Sequence, residues 1–530
     1  MIDGSIALVG GRVRTLDAAD SRAEAVLIDH GQIHAVGTDA QIRRLAGDAM
    51  EVVDLDGRTV LPGMIDAHTH VELSTLADHF WVVVRELAVP SILDRLREAV
   101  AVAAPGTWII GQGTFGQPMP TRAELDAIAP EHPVLTRQSM HRQVANSVAL
   151  GLAGTDRRFV PPVDARIERD ASGEPTGVVE EGFDLFPVPR PSEEALAEAL
   201  AAQVLDRWVR FGVTTIHELP ASSGGTRAWQ RLHRADALPC RMVLNPILAP
   251  GHQSTVTDVE SFCRLGFETG FGDAWLRFGS LKLFLDGAGC AGLNHGQLSG
   301  PATGWGLQNF LFHDLVKVLA TCRDARVHVW MHAVGDAAQT LALDAVEQVN
   351  IARGGSDHRT RIEHIGRDTP DFAVFGRMLR AGIIPVPTAA FMHFEPDDRE
   401  AKLGPHGRLF PYRSLIASGL RPPGNSDTAG TQPFATNPWH GVALMQLRRN
   451  KNGFRYAPDE AVGTAESVLT YTRNGAHAGF EEHRKGSIEV GKLGDVAVDA
   501  DDPYALDAEA LPDVEVDMTI VGGRVAYARG

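Results

Sequence analysis

The chain has 530 residues, of which 44% are hydrophobic and 22% charged, and a formal net charge of −17. That hydrophobic share builds a core of ordinary size, and the acidic balance excludes nucleic acid and anionic membranes as main partners, since both select basic surfaces. No apolar stretch is long enough to span a membrane, no charged leader precedes an apolar run, and the four cysteines form no CxxC pair; the expectation is a cytoplasmic protein with reduced thiols.

The first sixty residues, from "SIALVGGRVRTL" to "MEVVDLDGRTVLPG", alternate apolar and polar residues between glycine turns and predict short strands. "LPGMIDAHTH", Leu61 to His70, follows as a buried strand. Residues two apart in a strand face one side, so His68 and His70 aim both rings at one point. Taken alone, such a pair is either a metal site or two hydrogen-bonded histidines. From about Leu73 to Arg210 the pattern loosens into mixed helices, turns and short strands, read as an insertion after the first strand of the central unit. This stretch contains His141 in "SMHRQVANSVAL" and Glu180 in "GVVEEG".

The chain then alternates apolar runs with helical patterns: "GVTTIHEL" before "GTRAWQRLHRADAL", "RVHVWMHAVG" before "DAAQTLALDAVEQVN", "RTRIEHIG" before "PDFAVFGRMLRAG". Such alternation predicts βα units around a parallel sheet, numerous enough to close an eightfold barrel. Active-site residues of such barrels sit at the C-terminal strand ends. The polar exceptions fall there: His217 and Glu218, Lys282, His332, His364 and Asp427. A buried lysine is costly to keep charged. Lys282 therefore either pairs with a carboxylate such as Asp286 or reacts with carbon dioxide to give a carbamate, which can bridge two metals. Trp108, Phe115, Trp330, Phe391 and Phe394 fall near strand ends or loops, as pocket lining or as core. The C-terminus returns to strands, and "LVGGRV" at Leu8–Val13 reappears as "IVGGRV" at Ile520–Val525. The two ends are expected to pair into one β domain that the barrel interrupts.

The order HxH, Lys, His, His, Asp resembles the metal-dependent amidohydrolase superfamily. The phrases "LPGMIDAHTH", "KLFLDG", "MHAVGD", "RIEHIG" and "NSDT" are similar to amidohydrolase family 3, the YtcJ-like branch that includes N-substituted formamide deformylases. The resemblance implies a distorted (β/α)8 TIM barrel, residues 60–480 with an insertion at about 73–210, and a composite β-sandwich from residues 1–59 and 481–530. It implies that His68, His70 and Asp427 bind one metal, that His332 and His364 bind a second, and that a carbamylated Lys282 bridges them. Zinc suits such imidazole and carboxylate ligands. Manganese, iron or nickel is an alternative, as is a single-metal site with an unmodified lysine. The implied reaction is hydrolysis of an amide or N-substituted formamide C–N bond by metal-activated hydroxide, with Asp427 moving the proton and His217 assisting. His141, Glu180 and Cys290 are candidate substrate contacts, the alternatives being a packed histidine, a solvated charge and a structural thiol, and an apolar amide is the expected substrate. Homo-oligomers are compatible with such a barrel, although no segment fixes a subunit number. The loop "DGAGCAGLNHGQ", Asp286 to Gln297, departs from the family pattern. It keeps open an esterase, hydratase or decarboxylase on the same scaffold, and a non-catalytic metal-binding protein is the remaining class.

Overall fold

A computed structural model describes residues 4–48, 50–162, 165–248, 254–288, 292–294, 306–355, 357–367, 369, 371–403, 407–429 and 433–530. The middle of the chain builds two four-stranded parallel sheets. One runs in the order Leu276–Phe278, Arg241–Leu244, Val213–Glu218, Met64–Thr69. The other runs Ser280–Phe284, His328–His332, Arg361–Glu363, Ile384–Val386. Most of these strands are buried along their whole length, as parallel strands covered on both faces are.

Both seams between the sheets are bridged. At one, Ile247 and Lys282 pair in parallel and the Lys282 amide donates to Pro246 O at 3.1 Å. At the other, residues 424–427 lie against the first strand, with Ala67 N donating to Gly424 O at 3.0 Å and Asp427 N to His68 O at 2.9 Å. Asn425 Nδ2 reaches across to Pro387 O at 2.8 Å. The result is a distorted (β/α)8 barrel. The expected helices follow their strands: Ser223–Arg234, Asp336–Arg353 and Ala373–Ala381. In the second, Ala338, Ala342, Ala345, Val346 and Val349 recur at helical spacing and are buried.

The strands at the two ends do join. A six-stranded sheet has the order Arg524–Ala528, Val516–Val521, Val496–Asp499, Thr59–Pro62, Arg12–Arg14, Arg22–Ala23. Val496 pairs with Pro62 and Asp499 with Thr59, antiparallel. A four-stranded sheet of Gln32–Gly37, Ala25–Asp29, Ile6–Val9 and Val52–Asp54 packs on it. Ile6, Leu8, Val26 and Ile28 from the smaller sheet share a core with Val60, Val496, Val498 and Ile520 from the larger. The two copies of the VGGRV phrase are used differently. The first crosses from one sheet to the other, and the second closes a hairpin with Val521 opposite Arg524.

Between the first two barrel strands lies a further six-stranded sheet: Ala165–Arg169, Pro175–Glu181, Arg142–Ala145, Val134–Gln138, Ile109–Gly113, Val82–Val83. The sequence suggested only scattered strands here. Among the described residues no helix is long and apolar enough to cross a membrane. Cys240, Cys263 and Cys322 are free thiols.

Candidate metal centre

The first barrel strand ends at Thr69, and His68 and His70 are buried at its mouth. Asp427 binds both halves of the cluster. Its Oδ1 lies 3.6 Å from His68 Nε2 and 3.5 Å from His70 Nε2, and its Oδ2 lies 3.6 Å from His364 Nδ1. His68, His364 and Asp427 offer ligand atoms all within 4.8 Å of one another, a grouping that crosses the expected two-metal partition. His332 joins from the end of strand His328–His332, its ring 4.7 Å from that of His364. His364 and Asp427 both have left-handed backbone, φ 68° and 43°, a conformation that costs about 1–2 kcal/mol in a side-chain-bearing residue and that concentrates at functional sites.

Burial favours the neutral form of these histidines over the cation. The pKa values of His68, His332 and His364 are held well below the ordinary imidazole value, first by burial and then by one another and by Lys282. His332 Nε2 and His364 Nδ1 are buried and have no hydrogen-bond partner. Neutral imidazoles with unmet nitrogens around a carboxylate fit a divalent transition metal.

Behind the cluster stands a carboxylate the sequence reading passed over. Glu363 Oε2 lies 2.5 Å from His68 Nδ1. Arg361 grips the same carboxylate, Nε to Oε1 at 2.7 Å and Nη2 to Oε2 at 3.0 Å, while Nη2 also donates to Ala67 O. Its guanidinium lies 3.5 Å above the Trp330 ring. Such an outer carboxylate fixes the tautomer of a ligand histidine and leaves Nε2 bare toward the centre. The signal was present in "TRIEHIG", where a charged pair sits inside a buried strand.

Lys282 does not pair with Asp286. Its Nζ lies 3.4 Å from His68 Nε2, and burial pushes its pKa down to about 8 against the pull of Glu363 and Asp427. Asp286 instead accepts backbone N–H bonds from Leu293 (2.9 Å), Val334 (3.1 Å) and Gly335 (2.8 Å). It thereby ties the loop after one strand to the loop after His332. Gly335 permits that closeness, since a Cβ there would stand 1.9 Å from Leu293 O.

The centre opens into a cavity lined by His332, His364, Asp427, His141, Phe115, Phe391, Phe394, Arg367 and Glu395, among others. His141 comes from the insertion, at the turn between two of its strands, and its Nδ1 is 2.8 Å from Glu181 Oε2. Glu181 Oε1 accepts from Ala288 N at 2.9 Å, which links the insertion to the loop after Ser280–Phe284. Glu180 meets Arg166 at 3.2 Å, so it is Glu181, one residue on, that reaches the site. His217 is absent from the cavity wall. It is buried with its ring 5.8 Å from Trp330 and close to Gly479, and burial pushes its pKa down to about 3. Its neighbour Glu218 accepts from Val71 N (2.6 Å) and Glu72 N (3.0 Å), anchoring the helix that starts directly after His70. His328 stacks on Phe480, away from the centre. Cys290 lies outside the described residues.

Barrel, sandwich and donor set together define a metal-dependent hydrolase scaffold. Residues 51–527 match the amidohydrolase family, and the chain belongs to it. It is 29% identical over 547 residues to the N-substituted formamide deformylase of Arthrobacter pascens, covering 98% of each chain. It is 27% identical over 556 residues to the putative amidohydrolase YtcJ of Bacillus subtilis (strain 168), covering 98% of this chain and 99% of that protein. An uncharacterized metal-dependent hydrolase from Pyrococcus horikoshii OT3 shares the fold, with a TM-score of 0.74, 20% identity and coverage of 96% of this chain and 99% of its own.

Proposed function

We propose that the protein hydrolyses the C–N bond of an amide or N-substituted formamide. The observation that carries this reading is Asp427. It touches His68, His70 and His364, lines the cavity, and has its carboxyl pushed up to about 7, by burial first. A carboxylate set between these imidazoles and the cavity is placed to take a proton and to return it.

His68, His70 and Asp427 would hold one metal and His332 and His364 a second, with Lys282 as a carbamate between them. An amine pushed down to about 8 is sufficiently deprotonated at neutral pH to attack carbon dioxide. A divalent metal supplies Lewis acidity, polarising a carbonyl and bringing the pKa of a water near 7. The rest falls to the chain. Asp427 takes the proton from the attacking water and passes it to the departing nitrogen. Glu363 keeps His68 in one tautomer. His141, oriented by Glu181, stands at the cavity wall within reach of the substrate's polar atoms. Phe115, Phe391 and Phe394 exclude water and favour an apolar substituent.

The similarity to a formamide deformylase supports the C–N bond over an ester or carboxylic acid. The test is a panel of N-substituted formamides, acetamides, esters and carboxylic acids of one aromatic series, assayed side by side. Amine release from the amides supports the reading; turnover of the esters or acids alone overturns it.

A further inference from the structure

Among the described residues lining the cavity, one side chain carries a permanent positive charge. Arg367 follows His364 by three residues, after the strand Arg361–Glu363. Its Nε donates to Glu395 Oε1 at 2.5 Å and its Nη2 lies 3.5 Å from Glu395 Oε2. Glu395 is itself held firmly, with its backbone carbonyl accepting from Tyr456 OH at 2.5 Å and Asn450 Nδ2 at 3.1 Å. Arg399 approaches the same carboxylate at 3.7 Å, and its pKa is pushed down to about 9 by burial, with Arg367 adding repulsion. The Arg367 guanidinium is thus fixed along one edge, while Nη1 is buried with no hydrogen-bond partner. A guanidinium presents five donors in a planar fork, and a buried donor left unmet is destabilising. The mechanism proposed above uses none of this.

We propose that Arg367 is a specificity residue: it receives a carboxylate on the non-reacting part of the substrate, while Phe115, Phe391 and Phe394 hold the apolar group between that acid and the amide. The substrate class is then an aromatic or aliphatic amide that also bears a carboxylic acid. A guanidinium that lines the cavity and is already paired along one edge suits a singly charged carboxylate. A phosphate brings more charge and more oxygens than this site meets, and Glu395 lines the same cavity. This inference rests on the amide-hydrolase reading for the reacting end alone.

The test is isothermal titration of the purified holoenzyme with 3-phenylpropanoate, its neutral amide and 2-phenylethyl phosphate. The same titrations are run on Arg367→Gln and Arg367→Lys. The wild type is expected to bind the acid about tenfold or more tightly than the amide, as a charge-assisted hydrogen bond allows, and the ratio is expected to collapse in Arg367→Gln. Arg367→Lys keeps a cation beside Glu395 but gives up the fork. It carries the comparison if the glutamine variant does not fold, and its ratio is expected to fall as well. A ratio unchanged by either variant places the carboxylate on another group and overturns the proposal, as does a wild type indifferent to charge. Tighter binding of the phosphate than of the acid overturns the choice of carboxylate. In parallel, N-benzylformamide and 4-(formamidomethyl)benzoate are compared as substrates. Failure of both to turn over counts against amide hydrolysis, while the binding ratio still decides the role of Arg367.

Discussion

Replacing Glu363 with glutamine keeps the shape of the side chain and removes its charge. In the native chain this carboxylate serves two buried partners, His68 Nδ1 at 2.5 Å and the Arg361 fork at 2.7 and 3.0 Å. Both members of the arginine pair have fully buried side chains. Removing one partner of a buried ion pair costs about 3–5 kcal/mol, mostly because the other charge is stranded. Arg361 keeps its bond to Ala67 O and its seat on Trp330, so the loss should lie near about 3 kcal/mol. A separate effect acts on the metal. Losing the group that orients a ligand histidine typically costs about 10–100-fold in metal affinity, or about 1.4–2.8 kcal/mol. Zinc affinity is read by competition with a chromogenic chelator, and stability of the metal-free protein by urea denaturation. The double variant Arg361→Met with Glu363→Met separates the two effects. It should recover most of the stability, since no charge is left stranded, while its zinc affinity stays low. A folded Glu363→Gln protein that binds zinc as tightly as the wild type would refute the orienting role.

Other consequences follow from single groups. Asp427→Asn should retain metal, because four histidines remain, yet lose about 10²–10⁴ in kcat, the usual contribution of a positioned proton carrier; metal analysis and initial rates check both halves. Asp499 is 1% exposed with neither carboxylate oxygen hydrogen-bonded, and burial raises its pKa well above 3.8. A carboxyl with a raised folded-state pKa favours folding fully below the unfolded value and loses that advantage as pH rises. Asp499→Asn should therefore be more stable than the wild type at pH 7.5, with the gain vanishing toward pH 4; a gain independent of pH would contradict this. Asp495 accepts two bonds from the buried Arg241, at 2.7 and 2.8 Å, and one from Gly522 N at 2.9 Å, joining the barrel to the C-terminal sheet. Asp495→Ala should cost about 3–5 kcal/mol in denaturation experiments.

The residues legible in the sequence are those whose position follows from strand parity or strand ends. His68 and His70 share a face by spacing alone, His332 and His364 each end a recognisable apolar run, and Asp427 stands at a glycine-containing turn. What stayed hidden depends on backbone conformation or on loops. Glu363 and His364 are consecutive and should face opposite ways in a regular strand. The strand ends at Glu363, and with the left-handed turn at His364 the imidazole joins the cluster while Glu363 reaches His68 from behind. Glu180 and Glu181 differ by one residue, and a one-residue shift in a strand exchanges its faces; only the pairing of Pro175–Glu181 with its neighbours decides which glutamate meets His141. His217 occupies the expected strand, but its ring packs against Trp330 and Gly479 rather than joining the cavity wall. The fold was readable at the ends and in the βα units because those patterns are periodic. The insertion's sheet was not, because its strands are short and order themselves by contacts distant in sequence.

The central claim is tested most directly by titrating metal-free protein with zinc while following amine release from an N-substituted formamide. The account predicts no turnover without metal, a rise that saturates at two equivalents per chain, and saturation at one in Lys282→Ala. Turnover that ignores added metal, or no amine at any loading, would contradict it.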